Sequence, residues 1–125
     1  MGLDQERTHV KDVLVVDDER SLRLLCRVNL ELDGHRVREA GTLAQARAEL
    51  ERATPDVILL DIHVGADDGL ELLDTIEALD IQTRVVLLSG TSEVGPELHA
   101  RVDHVLGKPF ELRQLAAAVA GVRLR

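Results

Sequence analysis

The strongest constraint on this chain is an alternation of two hydrophobic periods. Short runs rich in β-branched and aliphatic residues occur at 12–16 (DVLVV), 35–39 (HRVRE), 56–60 (DVILL), 84–88 (RVVLL) and 103–106 (DHVL). Longer stretches with helical spacing lie between them. Over 19–32, Leu22, Leu25, Cys26 and Leu32 fall near one helical face, and Arg20, Arg23 and Arg27 near another, which reads as a solvated face. Leu43, Ala46 and Leu50 share a face over 43–52, where Thr42 and Gln45 form a capping box. Leu72, Leu73, Ile76 and Leu79 form the stripe over 70–79. Leu112, Leu115, Ala116, Val119 and Val122 do so from 110 onward. Gly95-Pro96 interrupts the segment 92–101, so only a short or mobile helix is expected there.

This pattern predicts five β-α units. Runs 13–16 and 57–60 are apolar throughout, as strands covered on both faces must be. Run 35–39 alternates and carries charge, which suits an edge strand. The expected fold class is α/β, a doubly wound parallel sheet with helices on both sides.

Composition narrows the function. Fifteen basic and twenty-three acidic residues give a net charge of −8, a poor balance for direct nucleic-acid binding. One Phe, no Tyr and no Trp weigh against base stacking or an aromatic ligand box. No apolar run approaches the roughly 18 residues of a membrane span, and the polar N-terminus is no secretory signal. The single cysteine, Cys26, cannot form an intramolecular disulfide and reads as core packing, so a cytoplasmic location is expected. The length, 125 residues, fits one domain over 11–125 behind a tail at 1–10.

In an open parallel sheet, chemistry collects at the carboxyl ends of the strands. Asp17 and Asp18 follow the first run, Asp61 the third, Ser89 the fourth and Lys108 the fifth; the chain has only two lysines. If strands one and three are neighbours, three carboxylates converge on one rim, and they stay ionised together only beside a cation. Oxygen ligands with room for water suit Mg²⁺, and no Cys/His set has zinc spacing. Glu19 would then open the first helix, where the dipole favours an acid. A magnesium site flanked by Lys108 and Ser89 suits a phosphoryl group. A carboxylate can itself be the nucleophile, and Asp61 is the candidate because it alone ends the middle strand.

At these residues the chain resembles the receiver domain of bacterial two-component response regulators, in a single-domain form like the chemotaxis regulators. VLVVDDE, DVILLDIHVGADDG, RVVLLSG and VLGKPFE stand in family order, and the resemblance runs from about Lys11 to Val122. It implies a flavodoxin-like (βα)₅ fold with strand order 2-1-3-4-5. It implies that Asp61 takes a phosphoryl group from a sensor histidine kinase or a histidine phosphotransfer protein. Asp18 would bind Mg²⁺ directly, Asp17 more through water, and the backbone carbonyl of His63 would be a further ligand. Ser89 would be the switch hydroxyl and Lys108, before a cis Pro109, the phosphate-contacting lysine. Asp68-Gly69 matches the family's Asp-Gly at the start of the third helix.

Three departures stand out. Gly65 replaces the usual proline four residues after the acceptor, which suggests a looser loop. Val105 stands where the switch aromatic belongs. The segment between Ser89 and Lys108 is short and lacks the usual Gly-Ala before the fifth strand. The chain reads as a stand-alone receiver acting on a downstream protein target and catalysing only its own phosphorylation and dephosphorylation. A receiver cut from a larger protein is an alternative; another is an interaction module with a degenerate switch that works without phosphate. A small phosphohydrolase is disfavoured, because the second acid of that chemistry would be Glu19, and there is no cap segment.

Overall fold

The fold is known from a computed structural model that describes residues 10–90 and 94–121. Most of the tail at 1–10, the residues at 91–93 and Val122 lie outside the described residues.

The main sheet contains β1 (Asp12–Val16), β2 (Arg36–Ala40), β3 (Val57–Asp61), β6 (Arg84–Ser89) and β7 (His104–Gly107). All neighbours are parallel, in the order β2-β1-β3-β6-β7. A hairpin of two-residue strands, β4 (His63–Val64) and β5 (Asp67–Asp68), stands apart from it. With the hairpin set aside, the strand order is the expected 2-1-3-4-5. The helices are α1 (Arg20–Leu32), α2 (Leu43–Arg52), α3 (Leu70–Ala78), α4 (Pro96–His99) and α5 (Leu112–Ala120).

The unbroken apolar runs resolve into two cores because successive side chains on a strand point to opposite faces. Leu14, Val16, Ile58 and Leu60 join Leu43, Ala46 and Leu50 of α2 and Leu72, Leu73 and Ile76 of α3. Val13, Val15, Val57 and Leu59 join Cys26 and Leu30 of α1 and Leu115, Ala118 and Val119 of α5 on the other face. Each fully buried Val, Leu or Ile among them contributes about 2 kcal/mol. The central strands, buried on both faces, are therefore the rigid platform beneath the rim.

Several helical faces differ from the sequence reading. The buried stripe of α1 is Cys26 and Leu30, one turn apart, with Leu22 packed against it, whereas Leu25 and Leu32 are exposed. Leu79 lies past the end of α3 and is exposed, and Leu112 is exposed at the start of α5. Pro96 opens α4 rather than interrupting a helix, as its fixed φ allows at a first position.

Local signals explain the element ends. Thr42 Oγ1 accepts from Gln45 N (3.1 Å), while Gln45 Oε1 accepts from Gly41 N (2.8 Å), one residue before the cap. Asp68 Oδ1 accepts from Leu70 N (2.9 Å) and so caps α3. Gln114 Oε1 accepts from Glu111 N (2.7 Å) at the start of α5. The edge strand β2 is guarded by Arg38, which spans Asp12 Oδ1 (3.2 Å), Glu49 Oε1 (3.1 Å) and Ala53 O (3.0 Å).

The loop after β3 is tight, not loose. His63 pairs with Asp68 and Val64 with Asp67, leaving Gly65-Ala66 as a two-residue turn. Gly65 has φ +64°, and Ala66 is not among the positive-φ residues, the sign pattern of a type II′ hairpin turn. Proline, fixed near φ −65°, cannot occupy that position, which accounts for the departure.

Candidate phosphoryl-acceptor site

The register builds the site. Val16 of β1 pairs with Leu60 of β3, so the next residues, Asp17 and Asp61, come to lie abreast at the carboxyl rim. Asp17 is fully buried, Asp61 is 7% exposed, and Asp18, one residue into the turn, points to solvent. One carboxylate oxygen from each of the three lies within 4.8 Å of the others. Ser89 ends β6, and its amino-acid neighbour across the sheet, Gly107, precedes Lys108. The Lys108 amide donates to the Ser89 carbonyl (2.6 Å), which closes the rim on that side. The Lys108-Pro109 bond is cis, as expected.

Lys108 Nζ bridges the two buried carboxylates, 2.9 Å from Asp17 Oδ2 and 2.9 Å from Asp61 Oδ2. Asp17 Oδ1 accepts from Glu19 N (2.9 Å), and Asp61 Oδ1 from His63 N (3.2 Å). Glu19 thus opens α1 through its backbone. Its own carboxylate accepts from Ser21 Oγ (3.1 Å) and makes no cap. Burial pushes the Asp17 carboxyl above its ordinary range, reinforced by the Asp61 charge and opposed by Lys108 and the Glu19 amide. Burial pulls the Lys108 ammonium down, but its hydrogen bonds to Asp17 and Asp61 outweigh this and the net direction is up. Ser89 Oγ is buried with no hydrogen-bond partner among the described residues. A buried hydroxyl left unpaired costs stability, so it marks a place where an acceptor belongs.

The donor set consists of hard carboxylate oxygens, one of them exposed and without a hydrogen bond among the described residues, Asp18. It fits Mg²⁺, which favours oxygen and keeps several waters. The rim can therefore hold a cation, offer a carboxylate nucleophile and place an ammonium and a hydroxyl beside the phosphoryl oxygens.

One further constraint explains Gly69. A Cβ there would land on the Asp61 backbone carbonyl, while the Gly69 amide donates to Ile62 O (2.6 Å). The residue after Asp68 must lack a side chain for α3 to begin so close to the acceptor.

The family model for the response regulator receiver domain matches residues 13–120. The chain belongs to the receiver domain family. Phosphorylation by a kinase and Mg²⁺ at the acidic pocket are general to receiver domains, and this one carries the acidic cluster at Asp17, Asp18 and Asp61. It is 37% identical over 109 residues to the KDP operon transcriptional regulatory protein of Escherichia coli, a match covering 85% of this chain and 48% of that protein. It is 29% identical over 112 residues to sporulation initiation phosphotransferase F of Bacillus subtilis, covering 86% of this chain and 89% of that one. Among solved structures, the receiver domain of NtrX from Brucella abortus superposes with a TM-score of 0.79 at 32% identity, covering 90% of this chain and 100% of that chain. A chemotaxis response regulator of Vibrio cholerae gives a TM-score of 0.79 at 26% identity, covering 91% and 99%.

The receiver domain spans about half the length of several curated relatives, which are transcriptional regulatory proteins. The single-domain reading therefore does not follow from the comparisons, and the expectation of no nucleic-acid contact holds only as a statement about this domain's charge. Among the described residues no helix is long and apolar enough to cross a membrane.

Asp17, Asp18, Asp61, Ser89 and Lys108 lie together on one rim. Of the α1 arginines expected on a solvated face, Arg20 is exposed, whereas Arg23 and Arg27 are drawn into ion pairs. Arg23 Nε pairs with Glu39 Oε1 (3.1 Å) and Arg27 Nη1 with Glu39 Oε2 (2.8 Å), tying α1 to β2. Cys26 packs in the core as expected, and burial pushes its thiol up to about 12, so it stays protonated and unreactive.

Proposed function

We propose that this receiver accepts a phosphoryl group on Asp61 from a sensor histidine kinase or a histidine phosphotransfer protein, and passes the signal on by protein–protein contact. The observation that carries this reading is the shared ammonium: Lys108 holds Asp17 and Asp61 together while the Ser89 hydroxyl beside them has no partner. An Asp61 oxygen attacks phosphorus, the bond from phosphorus to the donor imidazole breaks, and the imidazole takes up a proton. Lys108 turns its charge toward the phosphoryl oxygens, and Ser89 donates its unused hydrogen bond to one of them. Asp17, Asp18 and Asp61 would hold Mg²⁺, with the carbonyl of His63 added by the family pattern, and the ion would supply further positive charge there. The domain catalyses its own phosphorylation and dephosphorylation and acts on no independent substrate. It works in the cytoplasm, where such donors reside.

The test is intact mass after incubation with acetyl phosphate, with and without Mg²⁺, using Asp61→Asn as the control. A gain of one phosphoryl group that needs Mg²⁺ and is lost in the variant is expected. No gain from either acetyl phosphate or a phosphohistidine donor would sink the reading.

Two observations favour a second reading, a receiver-like interaction module that works without phosphate. Val105 stands half-buried at the switch position, and α4 has only 4 residues. Partner binding unchanged by Asp61→Asn would select that reading.

A further inference from the structure

Asp17 is held at every polar atom. Its amide donates to Ala40 O (3.1 Å), Oδ1 accepts from Glu19 N (2.9 Å) and Oδ2 from Lys108 Nζ (2.9 Å). Its backbone carbonyl accepts from Arg23 Nη1 at 2.7 Å, and the phosphoryl chemistry has no use for that arginine. The Arg23 side chain is only 16% exposed. Its guanidinium is fixed from three sides: the Asp17 carbonyl, the Glu39 carboxylate, and Gly41, where a Cβ would come within 2.9 Å of Nη1. Glu39 is itself held by Arg27. The slot is built from the end of β2, the residue after it and α1, all converging on one peptide group.

That peptide group links Asp17 to Asp18. Because the unit is planar, a bond to its carbonyl holds the whole peptide plane, and with it the place from which the Asp18 backbone continues. Asp18 is exposed and makes no hydrogen bond of its own among the described residues, so this plane is the restraint that its backbone has. We propose that Arg23 is a positioning residue: by pinning the Asp17–Asp18 peptide it aims the Asp18 carboxylate at the cation, and Glu39 neutralises the guanidinium so that its charge does not repel Mg²⁺. This inference rests on the functional reading above. Residues behind first ligands commonly change metal affinity by about 10- to 100-fold when removed.

The test is calorimetric titration of the protein with Mg²⁺, beside the acetyl phosphate phosphorylation rate at limiting and saturating Mg²⁺. Arg23→Gln weakens Mg²⁺ binding by about tenfold, while its maximal rate at saturating Mg²⁺ returns to within about twofold of wild type. Arg23→Lys restores part of the affinity, since one donor to the carbonyl suffices. Arg27→Gln, which loosens the contact between α1 and β2 but leaves the bond to Asp17, stays within about twofold throughout. Equal Mg²⁺ affinity in Arg23→Gln and wild type overturns the proposal. So does an equal loss in Arg23→Gln and Arg27→Gln, because that would be a general loosening of the helix. The wild-type titration separates the two ideas: no Mg²⁺ binding by wild type sinks the functional reading itself, whereas binding by wild type with no Arg23 effect sinks only this one.

Discussion

Around Asp17 every polar atom has a partner, while on the β6–β7 side of the rim Ser89 Oγ has none among the described residues, Val105 lies half-exposed and the helix before it has 4 residues. The first region sits where β1 and β3 end, on strands buried on both faces; the second sits at the β6–β7 side, where β7 is an edge. The difference separates two tasks. Capturing a phosphoryl group needs fixed charges at fixed distances, which a rigid platform supplies. Reporting the capture needs something able to move, and groups without partners are free to do so.

The comparison breaks first at Lys108. Removing the ammonium by Lys108→Ala leaves Asp17 and Asp61 buried together without a counter-charge, and the protein without metal loses about 4 kcal/mol of stability. Mg²⁺ recovers part of the loss, and thermal melts with and without the ion measure both effects. Gly69→Ala follows, at about 3 kcal/mol, because the new methyl meets backbone rather than a flexible side chain. Its phosphorylation rate falls along with its melting temperature.

Ser89→Ala behaves in the opposite way. It removes a buried hydroxyl that has no partner, so stability in denaturant titration is unchanged or rises by up to about 1 kcal/mol. The phosphorylated state nonetheless becomes shorter-lived or slower to form, which intact-mass time courses detect. A clear loss of stability would mean that Ser89 is structural. The smallest effect is on the slack side. Arg101 ties the end of α4 to α3 through Asp74 (2.6 Å) and Glu77 (2.6 Å), but these are surface ion pairs. Arg101→Gln leaves the melting temperature within experimental scatter, and any change fades as salt is raised.

The sheet and the acid rim were legible because their signals are strong and local. Continuous apolar runs mark central strands, and the residue after each run must lie at the rim. Strand limits drifted by one residue, as at β2, where Ala40 rather than His35 belongs to the strand. The hairpin over 63–68 was not legible, since two of its four paired residues are aspartates, poor strand formers held there by the turn. Arg23 was missed for a different reason. Helical spacing shows that it shares a face with Arg27, but only the fold brings Glu39 and the Asp17 carbonyl to that face. Leu79 and Leu32 looked like core because periodicity does not reveal where a helix stops touching the sheet.

The turn at Gly65 also limits where this sequence can go next. Its backbone lies at φ +64°, the mirror image of what proline imposes, and the two-residue hairpin depends on it. Gly65→Pro would therefore have to break the pairing of His63 with Asp68 and of Val64 with Asp67 before the ring could fit. The turn thus acts as a latch: the shape of the segment beside the acceptor hangs on one backbone angle that only a few residues can adopt.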